Sequence, residues 1–273
     1  KLIYGRMTGW GQYGSLSSDP GHDINYIALT GALSSIGTKN SAPLPPLNLV
    51  GDFGGGGMVL AMGICAALVE VAKSGKGQII DSAMTDGSAL LMSMMYGFYS
   101  AGIWNDHRGS NLLDGAAHFY GCYECKDNKF VSIGSIEPQF YQELIKRLEV
   151  DEETFKDQMD RSKWPELKKI LEKKFKEKTR EEWCEIMEGG DVCFAPVLSL
   201  EESINYKHNK DRETFINIDG VTQPAPAPRF SNTPGKIKHP PVRKGENTRE
   251  ILKSIGKEDL VQELIESKII SEG

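Results

Sequence analysis

The sequence predicts an α/β layer, then a separate α+β unit, then a proline-rich tail. Three observations predict it. The first hundred residues alternate strand-like stretches with long apolar segments of helical length. Near Tyr120 the texture changes to a hairpin followed by strongly charged amphipathic helices. Beyond residue 221, prolines crowd the stretch TQPAPAPRFSNTPGKIKHPPVRKGENT, where helix is excluded.

Each element follows in order. Leu2 to Met7 reads as a strand ending in the glycine-rich turn TGWGQYG. The loop SLSSDPG leads into a helical run from Asp23 to about Ser35. The proline-broken loop NSAPLPPLN delivers the chain to LVGDFGGGGMVLAMGICAALVEVAKSG, whose later part is an Ala/Gly-rich helix stopped at SGKG. QIIDSAM is a short strand, and a further apolar helix spans about Gly87 to Ala101. CYECKDNKFVSIGS then reads as a β-hairpin turning at Lys126-Asp127-Asn128. WPELKKILEKKFKEK and TREEWCEIMEG carry apolar faces at i, i+3, i+4, and DVCFAPVLSLEE is a strand running into a helix. NTREILKSIGKEDLVQELIESKII holds two short helices.

The chain has 273 residues, 39% hydrophobic and 26% charged, enough for a full core in one or two domains. A net charge of -6 argues against nucleic acid as a partner, because a phosphate-binding face shows as a basic excess. The odd count of five cysteines fits a reducing compartment better than a disulfide framework. Cys122 and Cys125 form a C-x-x-C, but no second ligand pair follows, so both are read as structural and no metal is expected. No uncharged apolar run reaches about 18 residues, so no membrane span is expected. No secretory signal is visible. The chain opens on LIYGRMTGWG without a methionine, like a strand already inside a domain, and its natural N-terminus is expected to lie further upstream.

Three places could carry chemistry. His22-Asp23 stands at the mouth of the first helical run: Asp23 reads as an N-cap, or the imidazole of His22, beside Gly21, faces a ligand as a base. Asp52, in PLNLVGDFGGGGM, reads as an N-cap with glycines for packing, or as an acid/base or nucleophile at a helix N-terminus. A kinase reading of D-F-G lacks its partner motifs, and the glycine spacing is wrong for a dinucleotide fingerprint. Glu137, ahead of Pro138, reads first as a cap.

Taken together, GWGQYG, GHDINYIALTGAL, PPLNLVGDFGGGGM, GKGQIIDSAMTDG, RGSNLLDG, YECKDNKFVSIGSIEPQFY and APRFSNTPG...GENTREIL cover nearly the whole chain. In that order they resemble the family III CoA-transferase superfamily, and within it the α-methylacyl-CoA racemases. The resemblance implies a Rossmann-like large domain, a smaller α+β domain and an interlocked homodimer. The active site would lie between the large domain of one chain and the small domain of its partner. On this basis residues 1–86 are the large-domain portion and 87–118 a helical linker. Residues 119–212 are the small domain, 213–244 a proline-rich linker, and 245–273 C-terminal helices returning to the large domain. The family begins with a further segment carrying the first Rossmann strands and much of the adenine and phosphate pocket; that segment is absent from this sequence.

The resemblance also assigns roles. Racemases of this group look like G-H-D where His22 stands, whereas the transferases generally carry an aromatic residue there. Both share an aspartate at the Asp52 position. It implies that His22 and Asp52 are the two bases that invert the carbon beside a thioester, with Glu137 orienting or charge-pairing the imidazole. A neutral imidazole and a protonated carboxyl are a workable pair near neutral pH. The Asn48 side chain and a backbone N–H near Asp23 would hold the enolate oxygen, and Tyr26 would touch the CoA arm or thioester. The substrate is an acyl-CoA, with Met94-Met95 offering pliable apolar surface to its chain, and no separate cofactor is implied. The alternative is a CoA transferase with Asp52 as acyl-anhydride nucleophile. Cytoplasm is the default compartment, with mitochondrion or peroxisome as alternatives; the IISEG end does not resemble S-K-L.

Overall fold

The computed structural model describes residues 1–271; the last two, within the predicted 245–273 segment and the IISEG end, lie outside the described residues. The chain divides into two compact units, residues 1–197 and 198 onward. Both the α/β layer and most of the predicted α+β unit fall in the first.

The α/β layer is built on two parallel strands, β1 (Ile3–Thr8) and β2 (Gln78–Ala83), paired from Ile3↔Gln78 to Thr8↔Ala83. The predicted helical run after residue 22 is broken in two: α1 (Asp23–Ala28) and α2 (Ala32–Ser35). The break has a local cause. Gly31 sits at φ 74, and the Tyr96 hydroxyl donates to the Thr30 carbonyl at 3.1 Å, taking it out of the helical ladder.

The glycine-rich segment is helical from Leu49, earlier than its glycines suggest. Leu49–Met58 forms a π-helix in which the Phe53 N–H reaches the Asn48 carbonyl at 3.1 Å, and it continues as α3 (Val59–Ser74). α3 lies on the sheet, with Leu60 and Ile64 over Gly5 and Gly63 over Ile80. By length and composition the whole run Leu49–Ser74 could cross a membrane, with a mean hydropathy of 1.8 in its most apolar window. Asp52 within it and the sheet beneath it make this a weak span signal. The predicted helix 87–101 is likewise two helices, α4 (Met84–Leu91) and α5 (Ser93–Ser100).

The α+β part has a three-stranded antiparallel sheet: β3 (Tyr120–Glu124), β4 (Phe130–Gly134) and β5 (Phe194–Val197), with β4 central. Its helices are α6 (Pro138–Leu148), α7 (Glu152–Phe155), α8 (Trp164–Phe175) and α9 (Arg180–Met187). Period-2 alternation turns Tyr123, Val131 and Ile133 inward, where they meet the Leu167/Leu171/Phe175 stripe of α8 and the Tyr141/Leu144/Leu148 stripe of α6. Each such side chain contributes about 1.5–3 kcal/mol on burial, so this cluster is the main core of the first unit. α9 starts in the capping box Thr179–Glu182, each side chain bonding the other's backbone.

The second unit holds α10 (Leu200–Asn205), α11 (Lys207–Asp211), a hairpin of β6 (Phe215–Ile218) and β7 (Val221–Pro224), α12 (Thr248–Ser254) and α13 (Val261–Glu266). The hairpin occupies the start of the segment read as an extended linker. It turns at Asp219-Gly220, both at positive φ, before the crowded prolines begin.

Candidate active site

The loop after β1, the start of α1 and the first turn of the π-helix converge near the ends of the parallel strands. In open α/β sheets ligands bind outside the carboxyl ends of the strands. His22, the N-cap of α1, is exposed. Its backbone is held on both sides: its N–H donates to Asn25 Oδ1 at 3.0 Å, and its carbonyl accepts from the Asn25 N–H at 2.8 Å. Asp23 is therefore not the cap. It is the first helical residue, 3% exposed, and its Oδ1 accepts the Asp52 N–H at 2.7 Å.

Asp52 is half-buried in the first turn of the π-helix, inside the helix and not at its cap. Asn48 is the N-cap, and its Nδ2 donates to Asp52 Oδ2 at 2.5 Å. This bond spends one of the two amide hydrogens; the other remains for a ligand oxygen. Tyr26, one turn into α1, is buried edge-on against Trp10 at 4.8 Å, and its hydroxyl donates to the Gly21 carbonyl. Burial, and then the Asp52 charge, push its phenol above the usual range.

These interactions join Asp23, Tyr26 and Asn48 to Asp52, and His22 is fixed next to Asp23 at the start of α1. Glu137 is not joined to them. It is the exposed N-cap of α6, with Pro138 at the first helical position and no side-chain cap bond. Among the described residues no hydrogen bond or ion pair joins it to His22 or Asp52. Its charge is felt at Cys193, whose thiol is pushed up by loss of water, then by Glu137 and Asp191.

Two features were not legible beforehand. Gly51 lets the Asp23–Asp52 contact form, since a Cβ there would lie 2.3 Å from Asp23 Oδ1. Trp10 walls Tyr26; its only signal was an aromatic residue between glycines in GWGQYG. Met95, with Met92, Tyr96, Tyr99 and Trp104, lines a cavity of about 200 Å³, which Met94 does not line. A larger cavity of about 590 Å³ opens between α6 and α7, beside Pro138, Tyr141 and Phe155, and takes in neither His22 nor Asp52.

Residues 1–248 match the profile of CoA-transferase family III. The chain belongs to that family. It is 46% identical to the mouse α-methylacyl-CoA racemase over 268 residues, which covers 96% of this chain and 70% of the mouse protein. To the human α-methylacyl-CoA racemase it is 45% identical over 275 residues, 99% of this chain and 72% of that protein. Similarity to the human succinyl-CoA:glutarate CoA-transferase is 25%, over 99% of this chain and 64% of that protein. Among solved structures, a CAIB/BAIF family protein from Brucella suis superposes with a TM-score of 0.76 at 21% identity, covering 93% of this chain and 68% of that one. The fold is thus that of family III CoA transferases, mixed α/β.

Proposed function

We propose that this chain is a racemase interconverting the 2R and 2S forms of 2-methylacyl-CoA thioesters by two-base proton transfer. The observation that carries the reading is the gap in similarity: 46% and 45% identity to α-methylacyl-CoA racemases, against 25% to a CoA transferase of the same family. The constellation suits the chemistry. An exposed imidazole and a carboxylate are held by adjoining backbone elements, one to take the C2 proton and the other to return one on the opposite face. In one direction His22 removes the C2 proton and Asp52 then delivers its own to the opposite face; in the other the roles exchange, so charge and protons balance. Between the two transfers the substrate is an enolate, its oxygen met by the free Asn48 N–H and the Asp23 N–H, which as the first of its helix has no intrahelical acceptor.

Glu137 completes the set by charge-pairing the imidazole. Because no bond joins it to His22 among the described residues of one chain, we assign that contact to the interlocked homodimer, in which Glu137 of one chain serves His22 of the other. No separate cofactor enters this scheme. The acyl chain takes the apolar surface that includes Met95. The transferase alternative would make Asp52 a nucleophile and leave His22 without a role. A single-enantiomer 2-methylacyl-CoA incubated with the protein in heavy water tests the reading. The expected product is a racemate labelled at C2. Retained configuration with CoA moved to an added carboxylic acid would overturn it.

A further inference from the structure

We infer that Asp23 is a positioning residue: its buried carboxylate holds the Asp52 backbone amide and so sets the spacing between the two proton-carrying side chains, His22 and Asp52. The inference rests on the two-base reading above and assigns a side-chain role to a residue otherwise invoked only for its backbone N–H.

The first ground is connectivity. Asp23 directly follows His22, whose own N–H and carbonyl are fixed by Asn25. Its Oδ1 accepts the Asp52 N–H at 2.7 Å, across 29 residues of sequence. One side chain therefore ties the backbone of one base to that of the other. The second ground is the π-helix. Its first turn leaves the Asp52 N–H without an intrahelical acceptor, since the ladder begins with Phe53 bonding to Asn48. Without Asp23 that amide would be unsatisfied, and the turn that carries Asp52 could shift.

The third ground is cost. Asp23 is 3% exposed, and its Oδ2 is buried with no partner among the described residues. Burying a carboxylate with one oxygen unpartnered is unfavourable, so a stability role alone is a poor account of it. Steric provision points the same way. Gly51 leaves room for the carboxylate, because a Cβ there would stand 2.3 Å from Oδ1 and 2.8 Å from Cγ. A misplacement of about 1 Å between reacting groups costs on the order of 100-fold in rate.

The test is a double-mutant cycle on the full chain, read as C2 deuterium incorporation and racemisation of a 2-methylacyl-CoA. Asp23→Ala is expected to lower kcat roughly 10- to 100-fold while KM moves less than about threefold. Asp23→Asn keeps an acceptor oxygen and is expected to recover most of the loss. In the Asp52→Asn background, Asp23→Ala is expected to remove little more, because it acts through Asp52. If Asp23→Ala does not fold, Gly51→Ala displaces the carboxylate without deleting it and is expected to show the same fall in kcat. A parent-like kcat in folded Asp23→Ala or Gly51→Ala would overturn the inference. So would an equal fold-loss in both Asp52 backgrounds. A parent chain with no exchange at all would instead overturn the two-base reading, and this inference with it.

Discussion

The bond from Asn48 Nδ2 to Asp52 Oδ2 makes a neutral amide the nearest polar neighbour of one proposed base. A hydrogen bond to a charged group contributes about 1.5–3 kcal/mol, and exposure of Asn48 argues for the low end. Asn48→Ala is therefore expected to lower racemisation by roughly tenfold, measured as kcat, with the fold unchanged by circular dichroism; an unaffected kcat would remove Asn48 from the site. Local sequence rules misread two caps, Asp23 and Asp52. Asp is favoured at N-caps, so Asp23 was the natural cap. The cap is instead His22, because the Asp52 N–H claims the carboxylate from 29 positions away, and no local rule sees that claim. Burial separates the two cysteines of the C-x-x-C: Cys122 on β3 is exposed, whereas Cys125, just past the end of the strand, is buried, its thiol pushed up to about 11 first by burial and then by Asp127.

Elements reveal what periodicity alone blurs. Two predicted helices proved to be pairs, one broken at Gly31 by a tyrosine 65 residues later and one at Met92. The π-helix owes its packing to glycines: a Cβ on Gly87 of α4 would lie 1.8 Å from the Gly55 carbonyl. Backbone cannot yield there as a side-chain tip can, so Gly87→Ala is expected to cost about 1–3 kcal/mol or more, read from the urea midpoint, and to lower racemisation by moving Asp52. The α+β core holds a titratable group with a clear pH signature. His118 is fully buried, with Nε2 2.7 Å from the Tyr141 hydroxyl, and Nδ1 has no partner among the described residues. Since that hydroxyl donates to the Phe155 carbonyl at 3.0 Å, the ring donates through Nε2 and is neutral. Burial lowers its pKa from 6.5 to about 4. The unfolded chain therefore binds the extra proton as pH falls from 6.5 toward 4, and about 3 kcal/mol of stability present above pH 6.5 is lost across that window. Unfolding free energies from urea titrations at pH 7 and pH 4.5 should differ by about 2 kcal/mol of that total, and His118→Asn should flatten the difference.

Across the chain as a unit, the α/β layer covers its apolar groups poorly. Phe53 (62% exposed), Met58 (68%) and Met62 (62%) stand along the π-helix and α3, and the most apolar window of that helix is 17% buried. Such a face calls for a protein partner, and the interlocked homodimer proposed above supplies one while bringing Glu137 to His22. Light scattering is expected to give twice the 30.2 kDa chain mass; a monomer with full activity would refute the dimer-borne role of Glu137. The architecture was readable in the sequence because strand and helix periods and turn residues are local, and the proposed site residues were named from motifs that fall in family order. The side chains that join these motifs were not, since they depend on approach between distant segments. The most direct test of the two-base claim is racemisation of a 2-methylacyl-CoA in heavy water by the parent, His22→Ala and Asp52→Asn. The account predicts racemisation with C2 label in the parent and at least a 100-fold loss in each variant. Parent-like racemisation in either variant would contradict it.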